Sequence, residues 1–359
     1  KIYFFTGSNL QGQWIGCDDN IIDEFISLPA NKQVYCDFDV KAATLVFIGW
    51  SHNIFIFNGK FYIVGDYTSS GQYVEQVNLP QECLNIDRDT CAFWLVNLEN
   101  KEVKSQNLAT QLPLESDMKR SKKEDHILKC AASNGSLLFI TNEKLLYCGL
   151  MPNLIDTSHC VGEPIDIQCG NEHYILLTAL GRVYTWGNGR RLQLGHGDVN
   201  ILDMPTEIEA LAGIKIVKIS AGGWHSLALS EFGDLYAWGW NDTGQLGIKE
   251  LSNSKSLNSY SQPTLVDIFD DGGVTINFNI KDISCGSRHS AILLDDNSVW
   301  TSGHNKYGQL GLSVQENLSV NHFKKCCSFK SVSGVVCGPW STVINVVIPY
   351  RIVLFATTL

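Results

Sequence analysis

The sequence predicts an all-β protein: a seven-bladed β-propeller whose ring closes by joining its N- and C-terminal strands. Three observations predict it. First, one unit recurs at residues 164–195, 216–247 and 280–311. Each copy runs apolar strand, Gly, His, apolar strand, turn, apolar strand, Gly, then a loop ending in Leu-Gly, the kind of fixed period that marks repeat architectures. Second, the spacing is constant. Thirteen residues separate His173 from Trp186, His225 from Trp238 and His289 from Ser302, and eight separate Gly187 from Gly195, Gly239 from Gly247 and Gly303 from Gly311. Third, one unit is split. Residues 330–347 supply a first half with Ser341 in the His slot, and residues 4–16 supply a second half, with Thr6-Gly7 for Trp-Gly and Gly12-Gln13-Trp14 for Gly-Gln-Leu. A unit divided between the termini is what a closed ring of strands needs, because closure removes exposed edges.

The elements within a unit read as strands. Runs such as Leu227-Ala228-Leu229 and Leu235-Tyr236-Ala237-Trp238 are short and bounded by turns such as Glu231-Phe232-Gly233-Asp234. No unit holds a stretch at helical spacing long enough for a helical solenoid. Weaker copies follow the same ruler. Ser51 takes the His slot in 47–72, with Val64 and Gly65 after it, and Gly135 takes it in 129–149, with Cys148 and Gly149. A further copy is due at 85–108, where an apolar segment, Cys91 to Leu98, and a turn at Glu99-Asn100-Lys101 remain. The count is seven. The reading is a single domain over 1–347, its last blade shared between 330–347 and 1–16, with loop insertions at 99–125 and 249–273 and a tail at 348–359.

Composition suits a large core. Of 359 residues, 44% are hydrophobic and 18% charged, against roughly 25% charged in an average globular chain. The net charge of −10 argues against a protein that wraps nucleic acid, which is basic overall or carries a basic stripe; no sequence-specific nucleic-acid contact is expected. The twelve cysteines form no Cys-x-x-Cys pair or zinc spacing. Cys169, Cys285 and Cys337 recur just before a Gly and read as small buried hydrophobes in a reducing compartment. Lys1 to Phe5 is too short for a secretory signal, and the apolar stretch Val346 to Leu359 holds Pro349 and Arg351 and falls short of the ~20 residues of a membrane span. No membrane contact is expected.

The strings Gly222-Gly223-Trp224-His225-Ser226, Tyr236-Ala237-Trp238-Gly239-Trp240-Asn241 and Thr243-Gly244-Gln245-Leu246-Gly247, with their counterparts, resemble the regulator-of-chromosome-condensation repeat. Three copies match well and four weakly. The resemblance implies a propeller of that type. Its nearest likeness within the family implies a chromatin-associated scaffold in the nucleus, with the cytoplasm as a second location. That scaffold would partner a Jumonji-C oxygenase acting on histones or arginines, contact histones, and support chromatin regulation and mitotic chromosome behaviour.

The individual residues point away from catalysis. His173, His225 and His289 sit on separate blades, so they read as structural residues bonded to backbone within their own blades rather than as ligands of one metal. Trp186 and Trp238, with Tyr184 and Tyr236, alternate within strands and read as core. No phosphate-binding Gly-x-x-x-x-Gly-Lys-Ser/Thr occurs, and no nucleophile–His–acid group or carboxylate pair has a recognisable setting. No cofactor, metal or enzymatic activity is expected. Three segments outside the strands are candidates for contacts. Lys119-Arg120-Ser121-Lys122-Lys123 resembles a nuclear-import signal, with Lys119, Arg120, Lys122 and Lys123 as its charges. The 249–273 insertion ends in Asp267-Ile268-Phe269-Asp270-Asp271, a candidate partner surface, since binding residues concentrate on loops. Arg190 and Arg191, near His196 and Asp198, could clamp a carboxylate or phosphate.

Two functions compete. The first is a non-enzymatic interaction scaffold on chromatin. The second is a guanine-nucleotide exchange factor for a Ran-like small GTPase, as in the founding member of the family. Exchange needs a rigid surface rather than side-chain chemistry. No basic N-terminal tail and no GTPase-contacting wedge can be matched here, so the scaffold reading is preferred.

Overall fold

The computed structural model describes residues 2–10, 12–14, 17, 19–27, 43–49, 52–58, 60–65, 74–77, 127–133, 136–149, 153–249, 258–276 and 278–346. Alternating apolar residues there form short antiparallel strands, grouped four to a sheet. The chain opens with β1 (Ile2–Ser8) and β2 (Ile21–Ser27). The first blade follows: β3 (Thr44–Ile48), β4 (His52–Phe57), β5 (Lys60–Gly65) and β6 (Val74–Val77). The second holds β7 (Ile127–Ser133), β8 (Ser136–Thr141), β9 (Leu146–Cys148) and β10 (Asn153–Ile155). The third holds β11 (Pro164–Cys169), β12 (His173–Thr178), β13 (Val183–Gly187) and β14 (Leu202–Glu207). The fourth holds β15 (Ile216–Ala221), β16 (His225–Ser230), β17 (Leu235–Trp240) and β18 (Ser259–Leu265). The fifth holds β19 (Ile280–Cys285), β20 (His289–Leu294), β21 (Ser298–His304) and β22 (Ser319–Ser328). The last strands, β23 (Val332–Cys337) and β24 (Ser341–Val346), join the first two in a sheet of order β2-β1-β24-β23. In it Gly7 lies opposite Ser341 and Ile2 opposite Val346.

Among the described residues the strands form an all-β propeller of six four-stranded blades, not seven. The seventh copy, expected at 85–108, lies outside the described residues. The sequence itself shows why that window is a poor blade. Every strong unit turns its third strand at a glycine of positive φ, such as Gly239 at 99°, and the chain has no glycine between Gly71 and Gly135.

Packing between neighbouring blades forms the core. Trp238, fully buried, packs with Ile175, Leu177 and Ile219 between the third and fourth blades. Phe323, Leu246 and Ile292 fill the next boundary. Trp14 stacks on Phe5 with ring centroids 4.3 Å apart and joins Leu45, Phe55 and Val343 between the closing and first blades. Trp186, Tyr184 and Trp238 are thus core, as their alternation predicts. Burying a side chain of this size contributes about 1.5–3 kcal/mol, so these boundaries hold the neighbouring blades together.

Because strands alternate in direction, each blade has two ends. One carries the loops between first and second strands and those after the third strand. The other carries the second-to-third hairpin turns and the connections to the next blade.

Candidate protein-interaction face

The end bearing the first-to-second loops is built from a repeated buried network. His173 Nε2 lies 3.1 Å from Ser226 Oγ, His225 Nε2 2.9 Å from Ser290 Oγ, and His289 Nε2 3.1 Å from Thr342 Oγ1. Each contact crosses to the next blade, which corrects the expectation of a bond inside the histidine's own blade. Within its own blade, His173 has only a long contact from Nδ1 to Asn171 O, 3.4 Å. Each hydroxyl donates onward to a glutamine carbonyl: Ser226 to Gln193 (3.3 Å), Ser290 to Gln245 (2.6 Å) and Thr342 to Gln309 (2.7 Å). A hydroxyl that gives its proton away must accept from the imidazole, so each histidine carries its proton on Nε2. Burial lowers the pKa of His173 to about 4 and those of His225 and His289 to about 3, so all three are neutral. Glycine precedes each of these loops for a steric reason. At Gly222 a Cβ would collide with the ring of His225.

The same glutamines shape the surface loops. Gln193 Oε1 accepts from Arg191 N–H (2.8 Å), Gln245 Oε1 from Thr243 N–H (3.0 Å) and Gln309 Oε1 from Tyr307 N–H (3.0 Å). Asn241 and Asn305 close the loops by accepting from Leu246 and Leu310 N–H, both at 3.0 Å. The residues held this way lean onto the following blade. The Arg191 guanidinium lies 3.7 Å from the Trp240 ring centroid and 4.1 Å from that of Trp224, and the two indoles meet edge to face at 5.3 Å. Arg288 pairs with Asp242 and approaches Trp240 at 5.4 Å. In the next position Tyr307 and His304 lie edge-on to Trp340 at 5.3 and 5.8 Å.

The outcome is a belt of half-buried Trp, Tyr and Arg across three successive blade boundaries, resting on a rigid buried network. Residues of these types, held on their edges and partly desolvated, are what protein interfaces use as anchors. Sequence reasoning quoted Trp224 and Trp240 as repeat landmarks and gave them no role. Their side chains are neighbours only once blades are placed side by side.

The candidate residues are divided. Arg191 joins the belt. Arg190 is exposed beside it, its backbone N–H held by Asn188 Oδ1 at 2.9 Å. His196 and Asp198 do not join the arginines: His196 Nε2 contacts Thr185 Oγ1 at 2.9 Å, and Asp198 accepts from Asn200 N–H at 3.0 Å. Asp267, Phe269, Asp270 and Asp271 follow β18 and leave from the opposite end. There Phe269 bridges to Thr275, Lys249 Nζ sits 4.6 Å from its ring, and Asp270 Oδ1 accepts from Val274 N–H at 2.8 Å. Lys119, Arg120, Lys122 and Lys123, the 99–125 segment and the 348–359 tail lie outside the described residues. Cys169 and Cys285 are buried, and Cys285 and Cys337 are pushed up to about 12, chiefly by burial.

The regulator of chromosome condensation (RCC1) repeat matches residues 181–229 and 233–293, and a second description of the same repeat matches 165–193, 216–245 and 280–309. The chain is similar to RCC1 domain-containing protein 1 of Mus musculus, 35% identical over 206 residues that cover 49% of this chain and 54% of the relative. Its human counterpart is 32% identical over 212 residues, covering 50% and 56%. The chain thus spans about half the length of the curated relatives it matches. Among solved structures, yeast RCC1 (Prp20) bound to Kap60 superposes with a TM-score of 0.61 at 15% identity, covering 98% of this chain and 89% of that one. Human WBSCR16 does so at 0.51 and 15% identity, covering 97% and 100%. These structural likenesses concern the fold. Residues 165–309 of this chain therefore carry regulator of chromosome condensation (RCC1) repeats, on a β-propeller fold.

Proposed function

We propose that the protein is a non-enzymatic interaction scaffold of the nucleus, and that it docks a protein partner on the belt of Arg191, Trp224, Trp240, Tyr307 and Trp340. The observation that carries this reading is the Arg191–Trp224–Trp240 stack. It is a rigid aromatic and cationic anchor on the surface, fixed from beneath by Gln193, and it packs no core of its own. Arg190 extends the cationic edge of the same surface. The partner suggested by the likeness to RCC1 domain-containing protein 1 is a Jumonji-C oxygenase on chromatin, with histones as a second contact. The basic run Lys119-Arg120-Ser121-Lys122-Lys123 supports nuclear import as the route there.

The test is capture of the tagged protein from nuclear extract beside its Trp240→Ala variant. A Jumonji-C oxygenase retained near stoichiometry by the first and lost by the second supports the proposal. A small GTPase retained only when nucleotide is stripped would replace the scaffold reading with nucleotide exchange.

A further inference from the structure

At the opposite end of the ring, the turns of the third to fifth blades are tied into one continuous band. Ala179 N–H donates to Glu163 O (2.8 Å), Ile216 N–H to Gly181 O (3.1 Å), Glu231 N–H to Lys215 O (2.9 Å) and Asp295 N–H to Asn279 O (3.0 Å). Asn279 also packs against Gly233. Each turn is thereby fixed to the connection entering its own blade, and the third and fourth turns also to the connection entering the next, through Gly181 and Gly233, so the band is a rigid surface.

Large apolar side chains stand in solvent on it. Phe232 is 76% exposed, Leu180 60% and Phe278 51%. Nothing in the turn requires them. Leu180 and Phe232 occupy the same turn position, and in the fifth blade that position holds Asp296, whose carboxylate accepts from Ser298 N–H at 2.8 Å. The same band is acidic: Glu163, Glu231, Asp295 and Asp296 are all exposed. Two of its basic residues are engaged locally, Arg182 with Glu207 at 3.0 Å and Lys215 with Glu231 at 2.8 Å.

We propose that this end is a second docking surface, and that its occupant is a basic, apolar segment of another protein. Apolar side chains of that segment cover Phe232, Leu180 and Phe278, and its Lys and Arg meet the carboxylates around them. Contiguous exposed apolar residues rimmed by charge mark interaction sites. The charge of the rim sets which partners approach. An anionic lipid surface is disfavoured, because it would face these carboxylates with like charge.

The test uses the full chain and a short fluorescent peptide of alternating leucine and arginine, with glycine–arginine and leucine–glutamate peptides as controls, read by anisotropy. Only the leucine–arginine peptide binds well, and its binding weakens with salt. It weakens about tenfold in Phe232→Ser, a loss typical of an interface anchor, and also in the Glu163→Gln, Asp295→Asn double variant, while melting temperature is unchanged. Arg191→Ala, at the other end, leaves peptide binding intact, so failure here and failure of the first docking face are separable. Equal binding of the glycine–arginine peptide, or unchanged binding by Phe232→Ser, would overturn the proposal. Self-association abolished by Phe232→Ser would assign the surface to a second copy of the chain instead, and binding to anionic vesicles would assign it to lipid.

Discussion

His225 Nε2 reaches Ser290 Oγ at 2.9 Å across the boundary between the fourth and fifth blades, and both side chains are fully buried. Ser290→Ala removes the acceptor and leaves the imidazole N–H buried and unpaired, at a cost of about 1–3 kcal/mol. Urea unfolding of Ser290→Ala, His225→Gln and the double variant measures the coupling. The expected result is a double variant less destabilised than the sum of the singles. Strict additivity would mean that the bond is not made.

Acid should weaken the ring. Burial holds His173 at about 4 and His225 and His289 at about 3, below their ordinary 6.5. Folding therefore favours the neutral imidazoles. Their contribution is complete above about pH 6.5 and is lost as pH falls toward 3, because the unfolded chain takes up protons that the folded one refuses. Urea midpoints measured between pH 7 and pH 4 should fall, and the fall should be shallower in His289→Gln. An identical slope in the variant would show that carboxylates alone account for the acid sensitivity.

Gly239 has φ 99°, and a Cβ there would sit 2.6 Å from Trp224 O. Gly239→Ala therefore carries both backbone strain and a backbone clash, with an expected loss of about 1–3 kcal/mol or more. Thermal unfolding of this variant beside Gly213→Ala, at a positive φ in open surroundings, separates the clash from the strain.

Deleting residues 1–16 removes β1, and with it the partner of β24 and the Trp14–Phe5 stack. The melting temperature should drop sharply. An unchanged value would show that the terminal strands do not pair in solution.

The strong repeats were legible because their His-to-Trp spacing is the hairpin register itself: His225 lies opposite Gly239 and Ser226 opposite Trp238. The weak ones misled by a residue or two. Asn53, not His52, lies opposite Val64, because Phe57 and Lys60 pair across a two-residue turn with Asn58 at φ 49°. Leu138, not Ser136, lies opposite Cys148. Counting copies by this ruler gives seven where six sheets form among the described residues, because apolar spacing alone continues through a stretch without turn glycines. The docking belt was not legible. Trp224, Trp240 and Trp340 come from different strands and loops, and a repeat motif says nothing of which edges meet. The separation of Arg191 from Asp270 to opposite ends follows from strand direction once the strands are counted.

The central claim, that the Arg191–Trp224–Trp240 stack is where a protein partner docks, is tested most directly by quantitative capture from nuclear extract with wild type, Arg191→Ala and Trp240→Ala. A cation–π contact of this kind contributes about 0.5–2 kcal/mol, and both side chains lie at the surface, so melting temperatures should shift little. The account predicts a stoichiometric partner, lost or strongly reduced in both variants while the fold persists. The same partner retained equally by all three proteins would contradict it.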